Sequence, residues 1–255
     1  MVKCWAKTLG DCSNVQSREH YLSQGLWQGS TITVKGLWDE ERTIGLSSLT
    51  TKTLCTTHNH ALSPLDSEAK RLFQAIAEIY RLQEVRLKLK PSKFWTVKRY
   101  EANGSLFERW AAKFLVGFFY VVGKNERWHV TQTGPIDPPR ELVEAIYGRR
   151  PFQSPEGLHL AYEVGDRHYN EDGVNLEPLF HPRDDGFVGA NLDFKGVRFV
   201  VWLLGNGIES FNIPTSEGRV FGPDGSELMY RPRNCRFTIS KVLSQVLQLE
   251  WNDGG

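Results

Sequence analysis

Leu54-Cys55-Thr56-Thr57-His58-Asn59-His60 is the stretch on which the reading of this chain turns. Leu49 to Leu54 has the composition of a short strand, and a helix is expected to begin near Cys55. Cys55 and His58 stand three residues apart, so at a helix start both side chains face the same way. A Cys-x2-His pair at a strand-to-helix junction is a common half of a zinc site, and zinc asks for four soft or borderline ligands in a tetrahedron. Working back toward the N-terminus, Cys4 and Cys12 flank a turn signalled by Gly10-Asp11 and can bring two thiolates from the other side. Cys4, Cys12, Cys55 and His58 are therefore the expected ligands of one structural Zn2+. The alternative is three core cysteines and a histidine with an ordinary hydrogen bond. Cys235 stands alone and reads as a small buried apolar residue.

The segment around the stretch is short on regular pattern. Ser17 to Leu22 is a plausible strand, Thr31 to Val34 a candidate edge strand, and the tripeptide Gly-Leu-Trp, ending at Trp27 and at Trp38, fits the two arms of a hairpin. A stronger helix follows Ser63-Pro64, with Pro64 or Asp66 near its start. From Ala69 the residues Leu72, Phe73, Ile76, Ala77, Ile79, Tyr80 and Leu82 recur at helical spacing up to the break at Pro91. Leu106 to Val122 is helical in pattern and apolar almost all round in its second half, hence buried. Pro138-Pro139 and Gly148 bracket a short helix over Arg140 to Tyr147. Beyond residue 157 the pattern becomes strands: His159–Val164, Val174–Phe180, Phe187–Phe194, Val197–Leu204, Cys235–Ile239 and Val246–Trp251. These read as an antiparallel sheet or small sandwich packed on the Leu106 helix.

The chain has 255 residues with a net charge of +1, but the charge is uneven. Residues 67–100 hold nine Lys/Arg against three Glu, and residues 101–255 are net acidic. A basic block directly after the metal segment suits a polyanion, with Lys70, Arg71, Arg81, Arg86 and Lys88 as candidate phosphate contacts; a solvated helix face is the plainer reading. Aromatic residues from Trp95 to Trp110 interleave with basic ones, a pattern shared by nucleic-acid surfaces and by ordinary cores. His129, His159, His168 and His181 lack partners in sequence, and Asp166 to Asp172 and Asp184-Asp185 look like charged turns. No secretory signal is visible, and Trp110 to Val122 is too short to cross a bilayer. A cytoplasmic protein that does not contact a membrane is expected, and in a reducing compartment clustered cysteines favour metal over disulfides.

The set Cys4…Cys12…Glu19-His20…Leu54-Cys55-Thr-Thr-His58-Asn59 resembles the zinc-containing HNH endonucleases, members of the ββα-metal nucleases. The resemblance covers residues 1–66, a quarter of the chain. It implies a zinc-stapled ββα (treble-clef-like HNH) head; with the helices and the C-terminal antiparallel β-rich domain read from the residue pattern, the expectation is an α+β protein divided as 1–92 and 93–255. It implies hydrolysis of DNA phosphodiester bonds. His20 would be the general base, and Glu19 and Asn59 would hold a catalytic Mg2+ or Mn2+, with His60 as the substitute ligand one register away. A role in bacterial phage defence would follow family habit. Two departures stand out. No Asn lies between His20 and Asn59, where the family places a base-orienting Asn, leaving Thr50, Ser48 or Asp39 as substitutes. Glu also stands where Asp is commoner. The competing expectations are a non-catalytic zinc module that binds nucleic acid or a protein, and a small-ligand sensor built on the C-terminal domain.

Overall fold

A computed structural model describes residues 3–20, 26, 31–34, 40–90, 95–122, 137–161, 174–180, 187–194, 197–203, 220–221, 227–240 and 243–252. The architecture is mixed α and β. Strand β1 (Glu19–His20) pairs antiparallel with β4 (Thr50–Thr51) to make a two-residue ribbon, and the chain runs from β4 into helix α1 (Thr56–Ala61). Between them in sequence, β2 (Thr31–Val34) and β3 (Arg42–Gly45) form a hairpin. Helix α2 (Ser63–Leu87) has Pro64 in its first turn, where the missing amide costs no helical bond, and Asp66 beside its positive end. Its buried stripe is Leu65, Ala69, Leu72, Phe73, Ile76 and Ile79, at the three- and four-residue steps that keep one face inward.

Strand β5 (Arg99–Asn103) leads into helix α3 (Gly104–Val122), whose start is capped by Asn103: its Oδ1 accepts the Leu106 amide at 3.0 Å. The short helix α4 (Arg140–Ile146) follows, then β6 (Gly157–Ala161), β7 (Val174–Phe180), β8 (Phe187–Phe194), β9 (Val197–Trp202), β10 (Val220–Phe221), β11 (Glu227–Tyr230), β12 (Asn234–Ser240) and β13 (Leu243–Glu250). Eight strands form one sheet in the order β10-β11-β6-β9-β8-β7-β2-β3, and three form another in the order β12-β13-β5.

The C-terminal strands pair antiparallel among themselves, as expected, and each sheet recruits an earlier strand in parallel: β2 on β7 and β5 on β13. Thr31–Val34 is thus an interior strand, held between β3 and β7, and not the edge strand expected of this short alternating run. Strands β3, β5, β10 and β11 are additional to those the sequence pattern marks; in β5 the exposed Arg99 and Glu101 mask the alternation. The Gly-Leu-Trp arms, His129, His168, His181 and the charged turns at 166–172 and 184–185 lie outside the described residues, apart from Leu26, which is buried in the core.

Apart from a smaller cluster of Ala161, Leu179, Val188, Val200, Trp202 and Leu228, the core is one main cluster running from Cys4 to Leu249. At its centre Phe73 of α2 meets Phe107 and Trp110 of α3 and Phe194 of β8 edge-on, at centroid distances of 5.2 to 5.9 Å. Lys113 interrupts this apolar packing. Its Nζ lies 2.9 Å from Asp66 Oδ2 and 3.3 Å from Glu19 Oε1, with the lysine side chain 2% exposed. The Trp110 indole N–H also donates to Asp66, so β1, α2 and α3 are tied by one buried ionic network. Among the described residues no helix is long and apolar enough to cross a membrane.

Candidate metal centre

The site begins with backbone contacts that bring the first dozen residues onto the start of α1. Trp5 donates its amide to Thr53 O, Ser17 to Leu54 O, and Thr56 to Val15 O, at 2.9 to 3.0 Å. Gln16 fastens the same seam, its amide side chain bridging Lys3 and Leu54. Gly10 (φ 79°) and Asp11 (φ 54°) turn the chain between Cys4 and Cys12 in the left-handed region, which Gly and Asp tolerate best. Cys55 is the N-cap of α1: extended at φ −78° and ψ 163°, its sulfur accepts the His58 amide at 3.5 Å.

These constraints converge on one point. His58 Nδ1 lies 3.3 Å from Cys4 Sγ, 3.5 Å from Cys12 Sγ and 3.3 Å from Cys55 Sγ, and all four donor atoms fall within 4.8 Å of one another. With Zn–S of about 2.3 Å and Zn–N of roughly 2.0–2.1 Å, a tetrahedron sets adjacent N and S about 3.5 Å apart. The four expected ligands are thus together at the spacing of a metal site. The cluster can hold one ion, and its Cys3His donor set is consistent with zinc.

The electrostatics point the same way. Burial pushes the Cys4 thiol up to about 12 and raises Cys12 as well. Burial also works upward on Cys55, yet the His58 amide and Ser13 outweigh it and leave that thiol below its ordinary value. Burial, with Arg149 nearby, lowers His58 and keeps its imidazole neutral, the form that donates a lone pair. Three sulfurs around a neutral imidazole are poor company for each other without a cation; bound metal would draw off the thiol protons. Tyr147 braces the ligand from behind, donating its hydroxyl to His58 O at 3.0 Å with its ring edge-on to the imidazole at 5.5 Å.

The remaining candidates are distributed around this centre. Asn59, next on α1, donates Nδ2 to Ser17 Oγ at 2.8 Å, which pins the helix to the segment entering β1. His20 faces Thr50 across the ribbon, so of the three substitutes for the absent Asn it is Thr50 that stands opposite the imidazole. Ser48 spends its hydroxyl on Gly45 O, and Asp39 lies outside the described residues. The His20 Nδ1 atom is buried with no hydrogen-bond partner among the described residues. Glu19 points inward, 6% exposed, to the Lys113 ammonium. Burial raises its pKa and Lys113 only partly offsets this. His60 is exposed on α1.

Of the basic residues on α2, Arg71 is bound to Glu68 and Arg81 to Glu78, each within one helical turn. Arg86 donates to Thr96 O and lies over the Trp95 ring, while Lys70 and Lys88 are exposed. A second basic surface escaped the sequence reading. Register places Arg99, Val246 and Arg236 in one row across β5, β13 and β12, and with Arg233 they line an open groove of about 600 Å³. Only the alternation of each strand hinted at it, because the arginines are far apart in sequence. No protein-family model matches this chain, and no curated protein or solved structure matches it either.

Proposed function

We propose that this chain is a nuclease of the HNH type, a metal-dependent hydrolase of DNA phosphodiester bonds, with a structural zinc at Cys4, Cys12, Cys55 and His58. One observation carries the reading: the Cys3His cluster joins a two-stranded ribbon bearing His20 to a helix bearing Asn59, the order in which such nucleases assemble their centre. In this reading His20 takes a proton from the attacking water. Thr50, opposite it, is positioned to orient the ring. The catalytic cation, Mg2+ or Mn2+, would neutralise charge developing on the phosphate.

The residues present fit such an ion only sparsely. Asn59 offers a carbonyl oxygen, while Glu19 is committed to Lys113. Mg2+ keeps several waters and is often bound through one or two protein groups plus substrate phosphate, which is the arrangement left open here. The groove of Arg99, Arg233 and Arg236 and the exposed Lys70 and Lys88 supply positive surface for the DNA backbone.

The engagement of Glu19 with Lys113 favours a second reading, a zinc-stapled module that binds nucleic acid without cutting it. Incubating supercoiled plasmid with the purified protein and Mg2+ or Mn2+ separates the two. Nicking that His20→Ala abolishes, at unchanged zinc content and melting temperature, supports the nuclease. Binding without nicking by the parent protein gives the second reading, and equal nicking by His20→Ala removes the assigned base.

A further inference from the structure

A small cavity of about 170 Å³ lies where the start of α3, the end of α4 and the chain before β6 meet. Arg109, Arg149, Arg150 and Arg231 line it, together with Ser105 and Glu108. The four arginines are not equivalent. Arg231 is neutralised by Glu108, which it binds through Nε and Nη2 at 3.1 and 2.7 Å. Arg150 is neutralised by Glu156 at 3.0 Å. Among the described residues Arg109 and Arg149 meet carbonyl oxygens: Arg109 Nε donates to Ile146 O at 2.8 Å and Arg149 Nη1 to Leu9 O at 3.3 Å. Neither guanidinium has a carboxylate partner among the described residues, so two positive charges face a half-open cavity, Arg149 being also near the metal centre.

The guanidinium of Arg109 is held in place from below. It lies flat on the backbone of Gly148, close enough that a Cβ there would come within 2.7 Å of Nη1. Across the cavity Ser105 sits in the first turn of α3, a helix of 19 residues whose positive end opens here. Its Oγ is shut off from solvent and has no hydrogen-bond partner among the described residues. Burial lowers the pKa of Arg109, a cost that a bound anion would reverse.

We propose that this cavity binds the terminal phosphate of a phosphomonoester, held by Arg109 and Arg149 with Ser105 and the amino end of α3. Two guanidinium groups with no carboxylate partner among the described residues suit the two charges of a monoester, and planar forks suit its oxygens. Size sets the limit. Ligand pockets for whole cofactors run to about 300–1,000 Å³, so this one admits a phosphate and leaves the rest of the molecule outside. An internal phosphodiester, singly charged and continued by chain on both sides, matches two guanidinium groups in so small a cavity less well. The phosphate could belong to a free metabolite or to the end of a nucleic-acid strand. The site stands whether or not the chain cuts DNA.

The test uses the full-length, zinc-loaded protein without Mg2+, titrated by calorimetry with inorganic phosphate, with a nucleoside monophosphate, and with one oligonucleotide bearing either a 5′-phosphate or a 5′-hydroxyl. Phosphate is expected to bind and to raise the melting temperature. Arg109→Gln should weaken binding about tenfold to a hundredfold, and Ser105→Ala, a milder change that tests the same cavity if the first variant folds poorly, by about threefold to tenfold. Lys52→Gln removes an exposed charge elsewhere and should leave the affinity unchanged. Preference for the 5′-phosphorylated strand, lost in Arg109→Gln, would identify a strand end as the source. Binding of phosphate and monophosphate without that preference would identify a free metabolite. Absence of phosphate binding at millimolar concentration together with no 5′-phosphate preference, or affinities indifferent to both cavity variants, would overturn the proposal.

Discussion

Replacing Lys113 with Met tests how much of the fold hangs on the buried ionic network. The ammonium is 2% exposed and lies 2.9 Å from Asp66 and 3.3 Å from Glu19, which is itself 6% exposed. Methionine keeps the length of the side chain and the helical preference, so the change removes the charge and little else. Asp66, 30% exposed, can turn to water. Glu19 cannot, and it is left as an anion in a dry site. Breaking a buried pair from one side costs about 3–5 kcal/mol. At roughly 2.1 cal/mol/K per residue, unfolding a chain of this length carries about 0.5 kcal/mol/K, so the loss should lower the melting temperature by about 6–9 °C.

The pH dependence carries a sign. Glu19 already sits above the ordinary carboxylate range because of burial, and losing Lys113 moves it further up. Between the unfolded value and that raised value the native variant holds a proton that the unfolded chain lacks. Its stability is therefore full below the unfolded pKa and declines as pH rises through the folded one. The defect should be smaller near pH 5 than near pH 8. Adding Glu19→Gln should recover more than half of it. Thermal melts of the zinc-loaded proteins at both pH values decide the matter. A loss below about 1 kcal/mol, or a defect indifferent to pH and to Glu19→Gln, would refute an uncompensated carboxylate as its cause.

Metal analysis of purified protein should return one zinc per chain, falling close to zero in His58→Ala and, in the parent, on acidification, as protons compete for the thiolates. His159 is fully buried and its pKa is lowered to about 4 by burial, so the native state refuses a proton that the unfolded chain accepts. Stability present above the ordinary histidine value of about 6.5 should then be lost as pH falls toward the folded value, by up to about 3 kcal/mol, and His159→Leu should flatten that decline in denaturant titrations. Gly148→Ala, at φ +71° and against the Arg109 guanidinium, should cost about 1–2 kcal/mol or more in the same titrations.

What could be read from the sequence was what acts locally. Cys55 and His58 announce themselves because ligand type and helical spacing coincide, and Cys4 and Cys12 because a turn separates them. The stripe of α2 and the long C-terminal strands were legible for the same reason: period alone specifies them. Register between distant segments was not legible. Nothing in Thr31 to Val34 says that its partner is β7, and the charges of Arg99 and Glu101 conceal Tyr100 and Ala102, which turn inward beneath them. Lys113 was visible as a charge in an apolar run, but its partners lie 47 and 94 positions upstream. Glu19, beside a histidine in a metal-like pattern, suggested a ligand; the structure commits it to that lysine. The cavity of Arg109, Arg149 and Arg231 had no signal at all, since its parts come from separate elements.

The parallel pairing of β2 with β7 also bears on how the protein is made. Thr33 lies beside Asn175, about 140 residues later in the chain. At roughly 5–20 residues per second, a ribosome needs about 7–28 s to deliver that partner. During this interval β2 lacks its β7 partner and that edge faces water, while Cys4, Cys12, Cys55 and His58 have already been synthesised. Early metal capture would anchor both ends of the segment that carries the waiting strand, and so shield the nascent chain from pairing with the wrong neighbour.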